Sequence, residues 1–120
     1  LPSAWDEKMT AYLGLSTAGD FENGVLQDVH WPAGLIGYFP TYTLGAMMAA
    51  QLFAAARKAI PDVSAQISCG EFSVLVAWLR AHVHHLGSSV SADDLLRSAT
   101  GETLTPEPFL GHLKSRYLGE

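Results

Sequence analysis

At 120 residues the chain has the length of one domain, and its 48% hydrophobic content with 16% charged residues argues against intrinsic disorder. At this size about two-thirds of the unfolded surface is expected to be buried. The net charge of −5, from 12 acidic and 7 basic residues, argues against nucleic acid or an anionic membrane as the main partner.

Targeting and membrane signals are missing from the sequence. No signal peptide is visible, and the longest apolar stretch, residues 44–56, is interrupted by Gln51 and is too short to span a bilayer. The single Cys69 cannot form an internal disulfide, which fits a reducing compartment. We therefore expect a cytoplasmic protein.

The hydrophobic pattern predicts an all-α fold: one helical domain over residues 1–120, with about five helices and one long functional loop between the first two. Ser3 and Asp6 form a capping box at the start of the first helix, which Gly14 ends. Residues 15–40 have no helical period, and a loop of that length is unusual unless it is functional. The second helix is predicted from Thr41 to Ile60, and because it is apolar nearly all round we expect neighbours to surround it.

Three further helices follow, each with a recognisable start and stop. The first runs from the Ser68–Glu71 capping box to Leu86, where Gly87 ends it, and the second from the Ser91–Asp94 capping box to near Gly101. The last runs to about Tyr117, with Thr105 as its N-cap and Pro106 as its first-turn proline.

The long loop gathers the residues most suited to binding or catalysis: Gln27, Asp28, His30, Trp31, Tyr38 and Tyr42. Treated as extended chain before Pro32, the segment places Asp28 and His30 on one face and Gln27 and Trp31 on the other. A carboxylate beside an imidazole fixes its tautomer and raises its pKa, which favours a cationic donor for anionic oxygen. Alternatively, Asp28 and His30 only pin the loop by hydrogen bonds.

Two tyrosines stand where the loop meets the second helix. Tyr38 and Tyr42 are four residues apart, so they share a face if that turn is helical. Their hydroxyls could then donate to an anionic oxygen near the helix N-terminus. The alternative is aromatic packing with the hydroxyls in water.

A histidine cluster, His82, His84 and His85, has the spacing of a partial metal site, since His82 and His85 are three apart on a helix. Zinc sites use three or four ligands, and no acidic or cysteine ligand lies nearby in sequence. A surface cluster near a helix C-terminus is the favoured interpretation, and metal storage is the weaker one. We expect no metal site in this chain.

The segment Gly24-Val25-Leu26-Gln27-Asp28-Val29-His30-Trp31 resembles the Gly-x-x-Gln-Asp-x-His-Trp signature of the carboxypeptidase Taq family of metallocarboxypeptidases. The resemblance continues through Gly37-Tyr38-Phe39-Pro40-Thr41-Tyr42-Thr43-Leu44-Gly45. It extends to the flanks, Trp5 to Met9, Tyr12 to Gly14, Ala99 to Glu102, and Phe109 with Leu110. It covers nearly the whole chain and corresponds to the C-terminal quarter of such an enzyme.

This resemblance implies an all-helical, usually dimeric enzyme that removes C-terminal residues from peptides with zinc or a similar divalent ion. The family holds its metal with a His-Glu-x-x-His helix and a later glutamate, neither of which this sequence contains. By resemblance these residues, and the arginines thought to grip the substrate carboxylate, would lie upstream of Leu1. The chain alone is therefore expected to bind no catalytic metal and to be inactive.

The resemblance also implies roles for the loop. His30 and Tyr38 are similar in type and order to the histidine and tyrosine that stabilise the tetrahedral intermediate in related helical zinc peptidases. Gln27, Asp28 and Trp31 would shape the loop, and Tyr42 would contact substrate. The expected partners are a peptide, the remainder of the parent enzyme, and a second copy meeting the apolar second helix.

The alternative is a stand-alone, non-catalytic helical interaction module. The length of the native open reading frame distinguishes the two.

Overall fold

The computed structural model describes residues 1–119, within which all regular structure is helical. Six α-helices occur in that part of the chain: α1 Pro2–Leu13, α2 Pro40–Ala59, α3 Val63–Ser68, α4 Ser73–Leu79, α5 Ala92–Thr100 and α6 Glu107–Tyr117. The all-α prediction is confirmed, with one helix more than expected. The chain divides into two compact units, Leu1–Thr41 and the part from Tyr42 onward. The single domain expected from the sequence stays a prediction.

The first unit contains α1 and the long loop. Pro2 stands in the first helical turn, where its missing N–H is harmless, and Gly14 ends the helix in the left-handed region at φ 67°. The capping box predicted for Ser3 and Asp6 is wrong, because no side chain caps the helix start. Asp6 Oδ1 instead accepts from the Thr17 backbone N–H at 2.6 Å.

The long loop between α1 and α2 is confirmed, and it is built from turns around one short 3-10 helix, Val25–Gln27. Gly24, which precedes that helix, is buried. A Cβ at Gly24 would lie 2.6 Å from the Asp20 carbonyl oxygen, closer than any side chain tolerates. Glycine therefore begins the Gly24–Trp31 segment because the backbone packs too tightly for a side chain.

The second unit has a small apolar core. Ala56 and Ile60 near the end of α2, Val63 of α3 and Leu96 of α5 are its buried hydrophobic side chains among the described residues. The expectation that neighbours surround α2 is wrong within this chain, because Tyr42, Leu44 and Phe53 on this helix are exposed.

A buried glutamine joins α2 to the segment after α5. Gln51 is 3% exposed, and its Nε2 donates to Thr100 Oγ1 at 3.2 Å and to the Thr103 carbonyl at 2.9 Å. Its Oε1 accepts from the Thr105 backbone N–H at 3.1 Å. The polar residue that interrupts the apolar helix is thus a structural contact between distant parts of the chain.

The middle of the second unit departs from the predicted boundaries. The capping box expected at Ser68 is wrong: Ser68 is the last residue of α3, and its hydroxyl donates to the Ser64 carbonyl at 2.8 Å. Helix α3 is not predicted by the sequence pattern. It forms because proline, which stops α2 at Pro61, is also well tolerated where a new helix begins. Helix α4 starts later, at Ser73, and passes into a π-helical turn, Arg80–His84, before Gly87.

The last two helices lie close to their predicted positions. Ser91 Oγ accepts from the Asp94 N–H at 3.1 Å, and Gly101 ends α5 at φ 85°, as the capping box and glycine predicted. Helix α6 begins after Pro106 without a side-chain cap, so the capping role predicted for Thr105 is wrong. Within residues 1–119 no helix is at once long and apolar enough to cross a bilayer.

Candidate functional site

Asp28 and His30 form the central contact of the long loop. His30 Nδ1 lies 2.7 Å from Asp28 Oδ1, and the same carboxylate accepts from the backbone N–H of His30 at 3.2 Å and of Trp31 at 3.4 Å. Both side chains are partly shielded from solvent. The juxtaposition predicted from the sequence is confirmed, and one carboxylate fixes both the imidazole and the backbone that carries it.

The charge of Asp28 is stabilised by this geometry. The hydrogen bond from the His30 ring, followed by those from the two backbone N–H groups, lowers the pKa of Asp28 below its usual 3.8. An ionised carboxylate only accepts hydrogen bonds, so Nδ1 of His30 carries the proton that lies between them. Any further polar partner of this imidazole must therefore bind at Nε2.

The extended conformation predicted for residues 27–31 is wrong at Gln27 and from His30 onward. Asp28 itself is extended at φ −71° and ψ 118°, but Gln27 ends the 3-10 helix and the chain turns from His30 onward. The His30 carbonyl accepts from the Leu35 N–H at 2.8 Å, and the Trp31 carbonyl from the Gly34 N–H at 2.9 Å. Glycine and proline at the turn outweigh the extended preference before Pro32.

Aromatic side chains flank the imidazole. The rings of His30 and Tyr38 stack with centroids 5.6 Å apart and planes 23° apart, and the Phe39 ring lies 5.2 Å from His30. Tyr38 precedes α2, so the shared helical face predicted for Tyr38 and Tyr42 is wrong. Tyr42 lies in the second unit, exposed, near the start of α2.

A hollow of about 670 Å³ lies beside the Asp28–His30 pair, within the first unit. Four of the expected site residues line it: Gln27, Asp28, His30 and Trp31. They line one hollow rather than the two opposite faces expected from alternation. Tyr38 reaches the group through its stacking on His30 and is not part of the lining.

Gln27 has an internal role in this arrangement. Its Nε2 donates to the Glu22 carbonyl at 2.8 Å, while its backbone N–H donates to the Gly24 carbonyl at 3.0 Å. The Gln27 side chain therefore stabilises the turn that precedes Asp28 and positions Asp28 at the hollow.

Two residues of α1 contribute to the site and were not expected there. Trp5 lines the hollow, and its Nε1 lies 3.5 Å from where a Cβ on Gly24 would be. Asp6 accepts from Ser16 Oγ and Thr17 Oγ1 as well as from the Thr17 N–H, and these bonds, the N–H first, lower its pKa. Asp6 thus holds the loop against α1, and no local pattern indicates a partner eleven residues away.

The histidine cluster has backbone partners. His82 Nδ1 lies 2.9 Å from the Trp78 carbonyl and its ring stacks on Trp78, while His85 Nδ1 lies 3.2 Å from the Arg80 carbonyl. Throughout residues 1–119, no three His, Cys, Asp or Glu side chains are grouped as metal ligands. The residues that the structure describes therefore do not fit a catalytic metal site.

Comparison with known proteins gives consistent relatives. The sequence profile of the carboxypeptidase Taq (M32) metallopeptidases matches residues 1–117. Thermostable carboxypeptidase 1 of Pyrococcus furiosus is 41% identical over 118 residues, and its namesake of Thermus thermophilus is 43% identical over 117. Each match covers 98% of this chain and 23% of the relative, so the chain spans about a quarter of these relatives.

Solved structures agree with the sequence matches. Trypanosoma cruzi metallocarboxypeptidase 1 is similar with a TM-score of 0.90 and 48% identity, covering 98% of this chain and 25% of that one. The M32 carboxypeptidase of Deinococcus radiodurans R1 gives a TM-score of 0.88 and 40% identity, with 98% and 24% covered.

Proposed function

This chain belongs to the carboxypeptidase Taq (M32) metallopeptidase family, and on that premise we propose that it is the C-terminal part of a metal-dependent carboxypeptidase acting on peptides. Because it spans 23% of its curated relatives, the activity is proposed for a longer parent enzyme. Zinc or another divalent ion would be held by residues outside this chain. The proposed partners are a peptide substrate, the remainder of the parent, and a second copy of the enzyme.

The Asp28–His30–Tyr38 arrangement is the observation that carries this proposal. Asp28 holds His30 through Nδ1, so a substrate oxygen would meet Nε2, and Tyr38 stacks on the same ring. Donors fixed before the substrate arrives stabilise a developing negative charge without reorganising. We assign His30 and Tyr38 to stabilisation of the tetrahedral intermediate by hydrogen bonds.

Protonation follows from that assignment. To donate from Nε2 while Nδ1–H bonds to Asp28, His30 must carry both ring protons. The Asp28 carboxylate accepts from Nδ1–H and so fixes the orientation of the ring. Asp28 is therefore a positioning residue that acts through His30.

The neighbouring residues have supporting roles in the proposal. Gln27 holds the turn through Glu22, and Trp31 shares the lining of the hollow with Asp28 and His30. Trp31 is proposed to shape the loop, and Tyr42 to contact the peptide. For Tyr42, which lies in the second unit, the support is the family resemblance of the segment around it.

Turnover of variants of the full-length parent enzyme tests the assignment. We expect His30→Ala and Tyr38→Phe each to lower kcat by about 10²–10³, because each removes one transition-state donor. The bound metal, measured by mass spectrometry, should be unchanged. His85→Ala and Tyr117→Phe make the same chemical changes at exposed positions and should retain wild-type kcat.

Equal turnover for wild type, His30→Ala and Tyr38→Phe would remove the assignments. A native reading frame that contains no further residues before this segment would instead favour the stand-alone interaction module.

A further inference from the structure

The hollow of the first unit has apolar walls that are largely in solvent. Trp5, Leu26, Trp31 and Phe39 line it, and all four are exposed, Leu26 by 70% and Trp31 by 56%. We call these four side chains, three of which are aromatic, the aromatic face. Exposed aromatic groups of this size that share one hollow mark an interaction site rather than ordinary surface.

The accessible surface area of the chain is larger than that of a folded monomeric protein of the same mass. The accessible area is 8650 Å², whereas a folded monomer of 12.9 kDa exposes about 6,300 Å². Two separately compact pieces, of about 41 and 79 residues, would together expose about 7,500 Å². The excess is therefore about 1,100–2,300 Å², more than the roughly 800 Å² that each partner buries in a standard interface.

This excess is more than a peptide substrate covers. The chain also leaves large apolar side chains outside the hollow exposed in the first unit, among them Tyr12, Leu15, Phe21 and Ile36. A peptide lying in a hollow of about 670 Å³ would leave those side chains in water. A protein surface is the occupant that matches the area.

We infer that the aromatic face is the surface through which this chain packs against the remainder of its parent polypeptide. Relatives matched over 98% of this chain are about four times as long, so a polypeptide large enough to cover the excess is part of the same proteins. The inference rests on the proposed function only in one respect: it assumes that this chain is part of a longer parent polypeptide. It places Leu26 and Trp31 in an intramolecular interface next to His30.

Thiol labelling of the full-length parent tests this inference. In a Cys69→Ser background, because Cys69 is exposed, the variants Leu26→Cys and Asn23→Cys place single thiols on the lining of the hollow. Lys8→Cys replaces an exposed charged side chain of α1, a residue type that interface cores exclude, and is the control. Maleimide labelling rates are measured without substrate, for native and urea-unfolded enzyme, at several protein concentrations.

We expect the native enzyme to label Leu26→Cys and Asn23→Cys at least about 100-fold more slowly than the unfolded enzyme, at every protein concentration, because covered positions react only after opening. Lys8→Cys should label within about tenfold of its unfolded rate. If Leu26→Cys impairs folding, the labelling rate of Asn23→Cys alone shows whether the hollow is covered in the native enzyme.

Rapid labelling of both hollow positions in the native enzyme would overturn the inference. Protection that disappears on dilution would overturn it in favour of a second copy. Peptidase activity is assayed on the same Cys69→Ser enzyme, so protected thiols without catalysis would refute only the proposed function.

Discussion

Asp28 shows how a single carboxylate organises the loop. It binds the ring of the residue two positions later and two backbone N–H groups, so side chain and main chain are fixed together. The pairing of Asp28 with His30 was predictable because the two residues are close in sequence. The turn at His30 and the stacking of Tyr38 were not, since they depend on how residues 31–37 fold back.

The lowered pKa of Asp28 gives a pH dependence with a definite sign. A carboxyl group whose folded-state pKa is lowered stabilises the fold above its unfolded value and loses that contribution as pH falls through the folded value. We expect Asp28→Asn to be less stable than wild type at pH values above the usual carboxyl pKa of 3.8, and the difference to shrink as pH falls below it. Urea unfolding over a pH series measures this difference. A gap that stays constant or widens in acid would contradict the assignment.

Gly24 is expected to tolerate no side chain. The Asp20 carbonyl oxygen lies 2.6 Å from where the Cβ would be, so Gly24→Ala must shift backbone and should destabilise the chain by about 1–3 kcal/mol. Gly45, in α2, has nothing within 4 Å, and Gly45→Ala should stabilise by about 0.5–1 kcal/mol. Denaturant unfolding of both variants gives the comparison. Equal effects of the two substitutions would show that the close approach at Gly24 is unimportant.

At the scale of elements, local patterns predicted helix ends where the chain itself supplies the partner. Gly14 and Gly101 end helices in the left-handed region, and Ser91 caps α5 three residues before Asp94. The patterns failed where the partner is distant. Ser3 and Asp6 have the spacing of a capping box, yet Asp6 accepts from the backbone N–H of Thr17 and does not cap α1. A short helix such as α3 has too few residues to show a period.

The π-helical turn Arg80–His84 is a similar case. Its residues have ordinary helical propensity, and nothing in their order distinguishes a π turn from a continued α-helix. The sequence could therefore predict a helix here and its end at Gly87, but not the change in hydrogen bonding.

Gln51 provides the test of packing between elements. Gln51→Leu keeps the side-chain size but removes three hydrogen bonds and leaves the Thr103 carbonyl and Thr105 N–H without this partner, so we expect a loss of about 2–4 kcal/mol. Gln66→Leu makes the same change where the amide donates to an exposed Asp62, and should alter stability by less than about 1 kcal/mol. Thermal or urea unfolding measures both. Equal losses would mean that Gln51 is not a structural contact.

At the scale of the whole molecule, the chain buries less than its length suggests. The accessible area of 8650 Å² means that a little over half of an unfolded surface of about 18,700 Å² is buried, instead of the expected two-thirds. The family resemblance, carried by one eight-residue segment and its flanks, predicted the relatives correctly. Composition did not reveal the exposed surface, because apolar residues that face a partner count the same as those in a core.

The most direct test of the central claim compares turnover with transition-state binding in the full-length parent enzyme. For wild type, His30→Ala and Tyr38→Phe, kcat/KM for one peptide is measured beside the affinity for its phosphonate analogue, which mimics the tetrahedral intermediate. We expect both quantities to fall together, by about 10²–10³ for each variant, because the lost hydrogen bonds are made in the transition state. Analogue affinity that stays at the wild-type level while kcat/KM falls would contradict the account.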